Sequence, residues 1–259
     1  MGQDLLKLSD AGMLAVRKDI QMIFQDPLAS LNPRMTCGEI IAEPLKTHFK
    51  GMSKAERRQK VQAMLEKVGM DPAQINRYPH EFSGGQCQRI GIARALITNP
   101  KLIICDEPVS ALDVSVQAQV INLLMELQRD MGLSMIFIAH DLSVVKHISH
   151  RTLVLYLGRV METADSHKLT TLPEHPYSQA LIASVPIPDP VLERARPRPI
   201  LEGELPSPLA PPSGCVFRTR CPKAQTSCAE ARPMLEDIGG NHLVACPFHE
   251  AEHVLAVGA

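Results

Sequence analysis

Two short, uninterrupted apolar runs constrain the fold of this chain more than any other feature. Residues 102–105 and 135–139 contain no alternating polar positions, and a helical pattern follows each run. Strands of this kind are typical of a parallel sheet that is covered on both faces, because an exposed face would require polar residues at every second position. The order strand, helix, strand, helix therefore predicts an α/β fold.

Three helices are indicated by apolar faces that lie between capping residues and helix breakers. Ser53 and Glu56 form a capping box at the start of the first helix, and Gly69 suits its C-terminal cap. The other two helices are expected over residues 86–99, before a proline, and 114–131, before a glycine. Together with the two strands they form the body of the chain.

Charge and composition exclude several classes of function. The 259 residues contain 27 Lys+Arg and 28 Asp+Glu, so a strongly basic nucleic-acid surface is not expected. Aromatic residues make up 3% of the chain and Trp is absent, which leaves little material for a base-stacking platform.

The apolar runs are far shorter than the roughly 20 residues of a membrane-spanning helix. The polar N-terminus is unlike a secretory signal, so a cytosolic location is expected.

A proline-rich stretch divides this body from a C-terminal tail. Nine of the 21 prolines lie within residues 186–212, and we expect an extended connector that forms no helix. The tail holds four of the seven cysteines, called here the cysteine cluster: Cys215, Cys221, Cys228 and Cys246. The other three, Cys37, Cys87 and Cys105, are expected to be small buried hydrophobic residues of the body.

Polar residues follow both predicted strands, at the edge where a parallel sheet binds its ligands. Asp106 and Glu107 end the first strand in the Walker B pattern, in which the first carboxylate holds Mg²⁺ and the second orients a water molecule. The alternative is a polar turn that only closes the strand. His140 follows the second strand in the same way.

Residues 83–86, with the sequence Ser-Gly-Gly-Gln, open the second predicted helix. A serine and two glycines at a helix N-terminus leave backbone N–H groups open to an anion such as a phosphate. The alternative is a simple capped turn. Phosphate binding is favoured by the order of five polar features along one chain: Gln25, residues 83–86, Asp106-Glu107, Asp113 and His140.

In that order, these features resemble the ATP-binding cassette (ABC) ATPases. Residues 82–86 are similar to the ABC signature motif, residues 102–107 to Walker B and residues 110–113 to the D-loop. Gln25 resembles the Q-loop glutamine, and His140 resembles the switch histidine. The resemblance implies the α/β fold of a P-loop NTPase with an inserted helical subdomain, here followed by a cysteine-containing C-terminal tail.

Flanking segments narrow the resemblance to the peptide and nickel importers, and within them to ATP-binding subunits of bacterial oligopeptide importers. These segments are residues 25–33, 78–82, 175–177, 203–209 and 214–222. The resemblance implies four regions along the chain. They are a remnant of the ATPase core at 1–24, the Q-loop and helical signature subdomain at 25–100, the core with Walker B, D-loop and His140 at 101–170, and the importer C-terminal region at 171–259.

The family resemblance also implies a role for each site residue, with ATP and Mg²⁺ as cofactors. Asp106 would help to hold Mg²⁺, and Glu107 would act on the hydrolytic water. His140 would contact the γ-phosphate, and Gln25 would sense it. The resemblance also implies nucleotide-binding residues at Ser83, Gly84, Gly85, Gln86 and Asp113. Those of the signature motif would complete the nucleotide site of an opposing subunit.

The implied function is that of an ATP-binding subunit that couples ATP hydrolysis to oligopeptide uptake. Its implied partners are a second ABC ATPase subunit in a heterodimer, two membrane permeases and, indirectly, a periplasmic peptide-binding protein. The implied location is peripheral, on the cytoplasmic face of the inner membrane. A dipeptide or nickel importer ATPase is the alternative, and a redox protein built around the cysteine cluster is a rival from another class.

These 259 residues do not contain one motif of the family, the G-x-x-x-x-G-K-[ST] stretch. That stretch, called Walker A, supplies the lysine and the backbone N–H groups that hold the β- and γ-phosphates. We expect that the sequence lacks the N-terminal strands and Walker A loop of a working ATPase. The alternative is a catalytically incomplete partner that offers its signature helix to a complete subunit.

The cysteine cluster has the spacing C-x₅-C-x₆-C-x₁₇-C, which is wider than the paired spacing of most structural zinc sites. By resemblance, some relatives carry a [4Fe–4S] cluster at this place, although the spacing matches neither common ferredoxin pattern. Zinc and unliganded structural thiols are the alternatives. His242 and His249, on either side of Cys246, are expected to be surface residues.

Overall fold

The computed structural model describes residues 2–186, 189–195 and 201–251. The chain divides into two compact units, Met1–His140 and Asp141–Ala259. The boundary that the sequence suggests after residue 170 lies inside the second unit, and the four-region division stays a prediction. Among the described residues, no helix combines the length and the apolar character that crossing a membrane requires.

The first unit is built on a three-stranded parallel sheet in the order β1-β2-β3. Its strands are β1 (Ile20–Ile23), β2 (Leu102–Asp106) and β3 (Ser134–Ile138). In the register of the central strand, Cys105 lies between Ile23 of β1 and Phe137 of β3. Both apolar runs therefore form the parallel strands that were predicted, whereas β1 was not predicted.

Among the described residues of the first unit, five α-helices accompany this sheet. They are α1 (Asp10–Arg17), α2 (Cys37–His48), α3 (Lys54–Lys67), α4 (Gly84–Leu96) and α5 (Val114–Met131). Ser53 and Glu56 form the predicted capping box of α3, and Gly69 has the left-handed backbone (φ 71°) that ends this helix. The bounds of α4 and α5 agree with prediction to within a few residues.

The outer strand β3 departs from the sequence-based expectation. Ile136 is 50% exposed and Ile138 is 46% exposed, so the prediction that both sheet faces are covered is wrong for this strand. The physical reason is that Ile136 and Ile138 share one face of β3, and no described part of the chain covers that face. Ile103 and Cys105 on the central strand are fully buried, as expected.

The second unit contains an antiparallel sheet in the order β4-β5-β7-β6. Its strands are β4 (Arg151–Tyr156), β5 (Arg159–Asp165), β6 (Glu236–Asp237) and β7 (Leu243–Val244). Its helices are α6 (Leu142–Ile148), α7 (Ser166–Thr171), α8 (Pro176–Ala183), α9 (Pro190–Ala195) and α10 (Ser227–Glu230). Phe217 is fully buried, and its ring centroid lies 5.3 Å from that of Tyr156 and 5.2 Å from that of Tyr177. This aromatic contact packs the cysteine-containing segment onto the β4–β5 hairpin.

The helix α9 corrects the prediction that the proline-rich stretch forms no helix. Pro190 occupies the first helical position, where its missing N–H is not needed for an intrahelical bond. The Asp189 carboxylate accepts the Val191 N–H at 2.8 Å and so caps the turn. Part of the predicted connector, residues 187–188 and 196–200, lies outside the described residues.

A buried carboxylate joins β5 to the C-terminal segment. Glu162 is fully buried, and its Oε1 atom lies 2.7 Å from Nε2 of His242, which is fully buried too. The same carboxylate accepts backbone N–H groups from Glu174 at 2.9 Å and His175 at 3.1 Å. The expectation that His242 is a surface residue is therefore wrong, because its ring is buried against the Glu162 carboxylate. His249 is partly exposed and pairs with Glu174 at 2.7 Å.

We predict that His175 makes the stability of the chain depend on acid pH. The side chain is 1% exposed, and burial lowers its pKa to about 4 from 6.5. The unfolded chain therefore takes up this proton below pH 6.5 while the folded chain does not, so stability is present above pH 6.5 and is lost as pH falls toward 4. Urea unfolding at pH 7 and pH 5 should show about 2 kcal/mol more loss in the wild type than in His175→Asn.

The His175→Asn variant is the matched control because asparagine can still cap α8. The His175 Nδ1 atom accepts the Tyr177 N–H at 3.0 Å, and an asparagine carbonyl can accept the same bond without titrating. Equal losses of unfolding free energy in both proteins between pH 7 and pH 5 would contradict the prediction.

Candidate functional site

The carboxyl ends of the three parallel strands bring together the polar residues predicted from the sequence. Gln25 follows β1, Asp106 and Glu107 end and follow β2, and His140 comes two residues after β3. Parallel pairing aligns these strand ends at one edge of the sheet, so residues more than 80 positions apart in sequence become neighbours.

Two side chains converge on one oxygen of Glu107. The Gln25 Nε2–H donates to Glu107 Oε2 at 3.0 Å, and His140 Nδ1 lies 3.4 Å from the same oxygen. The Glu107 side chain is 27% exposed, while that of His140 is 74% exposed. The carboxylate is thus oriented from two sides and remains open to water.

The backbone of Glu107 is also constrained. Its φ of 43° lies in the left-handed region, which is unfavourable for a residue with a side chain. The Glu107 N–H donates to the Ile138 carbonyl at 3.1 Å. Its own carbonyl accepts the Ser110 N–H at 3.2 Å and the Ser110 hydroxyl at 3.0 Å. These bonds hold the strained turn that presents the carboxylate.

Asp106, the last residue of β2, differs from Glu107 in having no partner. The residue is half-buried, and within the described parts of the chain its carboxylate forms no hydrogen bond or ion pair. Carboxylate oxygens with free lone pairs are the ligands that Mg²⁺ prefers in proteins. The side chain of Asp106 therefore fits the predicted role as a magnesium ligand.

The segment 83–86 forms the first turn of α4. Ser83 is the N-cap: its hydroxyl accepts the Gln86 N–H at 3.4 Å, and the Gln86 side chain accepts the Ser83 N–H at 3.0 Å. This capping box satisfies two donors, while the N–H groups of Gly84 and Gly85 have no intrahelical partner. The segment is both a capped turn and an open helix N-terminus, so the geometry agrees with both interpretations.

Asp113 caps the neighbouring helix α5. Its Oδ1 atom accepts the Ser115 hydroxyl at 2.7 Å and the Val116 N–H at 3.0 Å, and these bonds lower the pKa of the Asp113 carboxyl. The first turn of α4 packs directly on this region. A Cβ on Gly85 would lie 2.6 Å from Val116 Cγ1, so only glycine permits this approach of the two helices.

The site residues therefore form two groups within the first unit. Gln25, Glu107 and His140 make up one group, and residues 83–86 with Asp113 make up the other. Among the described residues, no hydrogen bond or ion pair joins the two groups. The structure thus brings together the three predicted catalytic residues but keeps the signature segment apart from them.

Two arginines support these groups, and sequence reasoning gave neither a role. The Arg77 guanidinium lies 5.0 Å from the Phe82 ring centroid and donates to the Glu81 carbonyl at 2.8 Å, just before the signature segment. Arg94, on α4, donates to the Ser30 carbonyl at 2.6 Å. For Arg94 the only sequence signal was a cation on an otherwise apolar helix face, which does not specify a backbone acceptor elsewhere in the chain. Arg77 lies outside the helices and gave no signal.

The three single cysteines are buried as predicted. Cys37, Cys87 and Cys105 have no solvent exposure. Burial raises the pKa of Cys37 and of Cys105 to about 12, so both thiols stay protonated at neutral pH. They pack as small apolar side chains.

The cysteine cluster gathers in the second unit, and its four thiols are half-buried and free. Burial, with smaller contributions from the charges of the other three thiols, raises the pKa of Cys246 to about 11. Two members of the cluster are joined through their backbones, since the Cys215 N–H donates to the Cys228 carbonyl at 2.8 Å. Even so, the described residues contain no group of three or more His, Cys, Asp or Glu side chains placed to hold a metal ion. The structure lends no support to the iron–sulfur or zinc hypotheses.

Comparison with protein families gives two matches along the chain. A family described as ABC transporter matches residues 2–110, and one described as oligopeptide/dipeptide transporter, C-terminal region, matches residues 161–228. The first range contains Gln25, the signature segment and Glu107. The second contains most of the cysteine cluster.

Individual relatives are similar over nearly the whole chain. The oligopeptide transport ATP-binding protein OppF of Escherichia coli (strain K12) is 65% identical over 246 residues, which cover 95% of this chain and 73% of OppF. The putative oligopeptide transport ATP-binding protein YkfD of Bacillus subtilis (strain 168) is 58% identical over 248 residues, covering 96% and 75%. Among solved structures, the dimeric post-hydrolysis state of the ATP-binding cassette MJ0796 with ADP and Pi superposes with a TM-score of 0.55. It is 32% identical and covers 62% of this chain and 68% of that chain.

We predict that Gly85→Ala destabilises the contact between α4 and α5. The new methyl group would overlap the stiff, β-branched Val116 side chain, at a cost of about 1–3 kcal/mol in the free energy of unfolding. Gly84→Ala is the control, because its Cβ would meet only Leu112 Cδ2 at an ordinary 3.8 Å. Urea unfolding of both variants measures the difference.

A second substitution tests the cause of the effect. Adding Val116→Ala to Gly85→Ala removes the overlapping methyl group and should restore most of the lost stability. If Gly84→Ala is as destabilising as Gly85→Ala, or if Val116→Ala restores nothing, the overlap is not the cause.

Proposed function

Since the chain belongs to the family of ABC transporter ATPases, we propose that it is the ATP-binding subunit of a bacterial peptide importer. It couples ATP binding and hydrolysis to oligopeptide uptake through membrane permeases. The observation that carries this proposal is the convergence of Gln25 and His140 on Glu107 at the strand ends. The 65% identity to OppF, whose name states oligopeptide transport, supports peptides as the cargo.

Asp106 is the residue that would hold Mg²⁺, because its half-buried carboxylate has no partner in the described chain. When bound, Mg²⁺ neutralises the charge that develops on the phosphate oxygens. Asp106 follows a fully buried strand residue, Cys105, so its position is set by the sheet rather than by a loop.

Glu107 is the residue that orients the attacking water and accepts its proton. Gln25 donates to Oε2 of this carboxylate, and His140 lies beside the same oxygen, so the carboxylate has a defined direction before substrate arrives. The imidazole of His140 is largely exposed and can also reach a γ-phosphate. Gln25 thereby connects the hydrolytic carboxylate to the segment that follows β1.

Ser83, Gly84, Gly85 and Gln86 bind the nucleotide held by an opposing ATPase subunit, and Asp113 lies beside them. This part of the proposal is supported by their separation from Glu107 in the contacts of one chain and by the open N–H groups of the first turn of α4. The similar cassette MJ0796 is dimeric in its complex with ADP and Pi. We propose a heterodimer with a second ABC ATPase subunit.

The importer supplies the remaining partners. Two permeases dock on the segment from Gln25 to about Gly69, a periplasmic peptide-binding protein delivers the cargo to them, and no nucleic acid is involved. The chain lies peripherally on the cytoplasmic face of the inner membrane. The residues that choose among oligopeptides, dipeptides and nickel belong to the permeases and the binding protein in this proposal.

A second candidate function makes no use of the chain's own Glu107. In that case the chain is a catalytically incomplete partner, and its signature segment completes the site of another subunit. The two candidate functions require different residues for ATP hydrolysis. Only a working site uses Glu107, whereas both candidates use Gly84.

We predict that Glu107→Gln in the assembled importer lowers kcat for ATP hydrolysis by at least about 100-fold, because the amide cannot accept the proton of the attacking water. Gly84→Asp should lower it as well, since a carboxylate at the signature repels phosphate. Steady-state ATPase assays measure both, and Cys215→Ser is the comparison in which the loss of rate should be smaller than in Glu107→Gln. Loss of activity in Gly84→Asp alone identifies the incomplete partner, and a larger loss in Cys215→Ser than in Glu107→Gln would contradict the transporter function.

A cofactor at the cysteine cluster is a separate part of the proposal. Its basis is the sequence rather than the described geometry: four cysteines lie in the C-terminal segment, and four thiolates are the ligand set of a [4Fe–4S] cluster. Because burial raises the pKa of Cys215, Cys221 and Cys246, cluster assembly would release protons.

We predict that anaerobically purified protein contains iron and absorbs in the visible range, and that Cys246→Ser removes both signals. Cys87→Ser, which changes a buried thiol of the other unit, should leave both unchanged. Elemental analysis and an absorption spectrum decide the question. Zinc without iron would indicate the alternative metal, and a metal-free sample would leave structural thiols.

A further inference from the structure

Arg94 connects the signature helix α4 to the segment that carries Gln25. Its Nη1–H donates to the Ser30 carbonyl at 2.6 Å, and its guanidinium carbon lies 5.5 Å from the Phe24 ring centroid. Phe24 precedes Gln25 directly, and Ser30 follows it by five residues. One side chain on α4 therefore contacts both sides of Gln25.

The far side of this segment is a rigid turn. The Asp26 carboxylate accepts the N–H groups of Leu28 and Ala29, both at 2.9 Å. The Ser30 N–H donates to the Asp26 carbonyl at 3.1 Å, and the Ser30 hydroxyl donates to the Pro27 carbonyl at 3.0 Å. Because the turn is closed internally, a bond to the Ser30 carbonyl positions the whole turn and, with it, residue 25.

The contacts of Arg94 are costly for a residue that serves packing alone. Its Nη2 atom is buried without a hydrogen-bond partner in the described chain, and burial lowers the pKa of the guanidinium, an effect that the charge of Glu43 partly offsets. Within the described residues Arg94 forms no salt bridge. An apolar side chain of similar volume at this position would be at least as stabilising.

A second arginine on α4 makes a similar bond to a different segment. Arg89 donates through Nη1 to the Val68 carbonyl, also at 2.6 Å, and so anchors the end of α3. Both guanidinium groups are half-buried and bind a backbone carbonyl, but only Arg94 reaches the Gln25 segment. Arg89 is therefore a matched comparison within the same helix.

We propose that Arg94 is a positioning residue that holds Gln25 in place to hydrogen-bond Glu107, so that the hydrolytic site depends on the position of the signature helix. The inference rests on the proposed function for the roles of Gln25 and Glu107. The anchoring of the turn by Arg94 is a property of the chain itself and can be measured without nucleotide.

The first experiment is hydrogen exchange on the 259-residue chain. Arg94→Met should speed amide exchange at residues 28–30 by about tenfold, because the turn loses its external anchor. Arg89→Met should leave residues 28–30 unchanged and affect the end of α3 instead. If Arg94→Met does not fold, Arg94→Lys takes its place, since lysine keeps the charge but cannot contact the carbonyl and the ring with a planar group. Unchanged exchange at residues 28–30, or the same acceleration in Arg89→Met, would overturn the anchoring.

The second experiment places the same variants in the assembled importer and measures ATP hydrolysis. Arg94→Met should lower kcat by about fivefold or more with little change in the KM for ATP, and it should have no further effect when Gln25 is already alanine. A purely structural role would lower kcat equally in both backgrounds, and that result would overturn the inference. If Gln25→Ala alone leaves hydrolysis unchanged, the proposed role of Gln25 fails, while the exchange experiment still reports separately on the turn.

Discussion

Parallel pairing of β1, β2 and β3 is the constraint on which the first unit depends. It places three loops at one edge of the sheet, and each loop carries one of the three residues predicted to be catalytic. Gln25 and Glu107 are 82 positions apart in sequence, and the pairing of β1 with β2 brings their side chains into contact. The left-handed backbone of Glu107 is held by its N–H bond to Ile138 on the next strand and by the two bonds from Ser110 to its carbonyl.

Much of this arrangement could be predicted from the sequence, because the signals were local. The capping box of α3, the glycine after this helix and two apolar strands depend on neighbouring residues alone, and each appears in the structure. The strand β1 was missed because Ile-Gln-Met-Ile is four residues long and has a polar residue inside it. The helix α9 was missed because proline was taken only as a helix breaker, although the first turn accepts it.

The site shows the same division between local and long-range information. The identities of Gln25, Asp106, Glu107 and His140 were predictable, since order and spacing along the chain indicate the family. Their hydrogen bonds were not, and neither was the contact between Arg94 and Ser30, because a backbone carbonyl looks the same at every position of a sequence. His242 illustrates the limit in the second unit: nothing near it in the chain indicates that a buried glutamate 80 residues away requires a partner.

The buried Glu162 makes the C-terminal tail a structural part of the second unit, because His242 of the tail is its side-chain partner. Removing the residues after β6 would leave the Glu162 carboxylate buried with two backbone donors and no imidazole, a large penalty for the β4–β5 hairpin. The tail is thus not an appendage that a protease could trim from an intact unit. The tail and the hairpin therefore unfold together, so a substitution or cleavage in the tail lowers the stability of the hairpin as well.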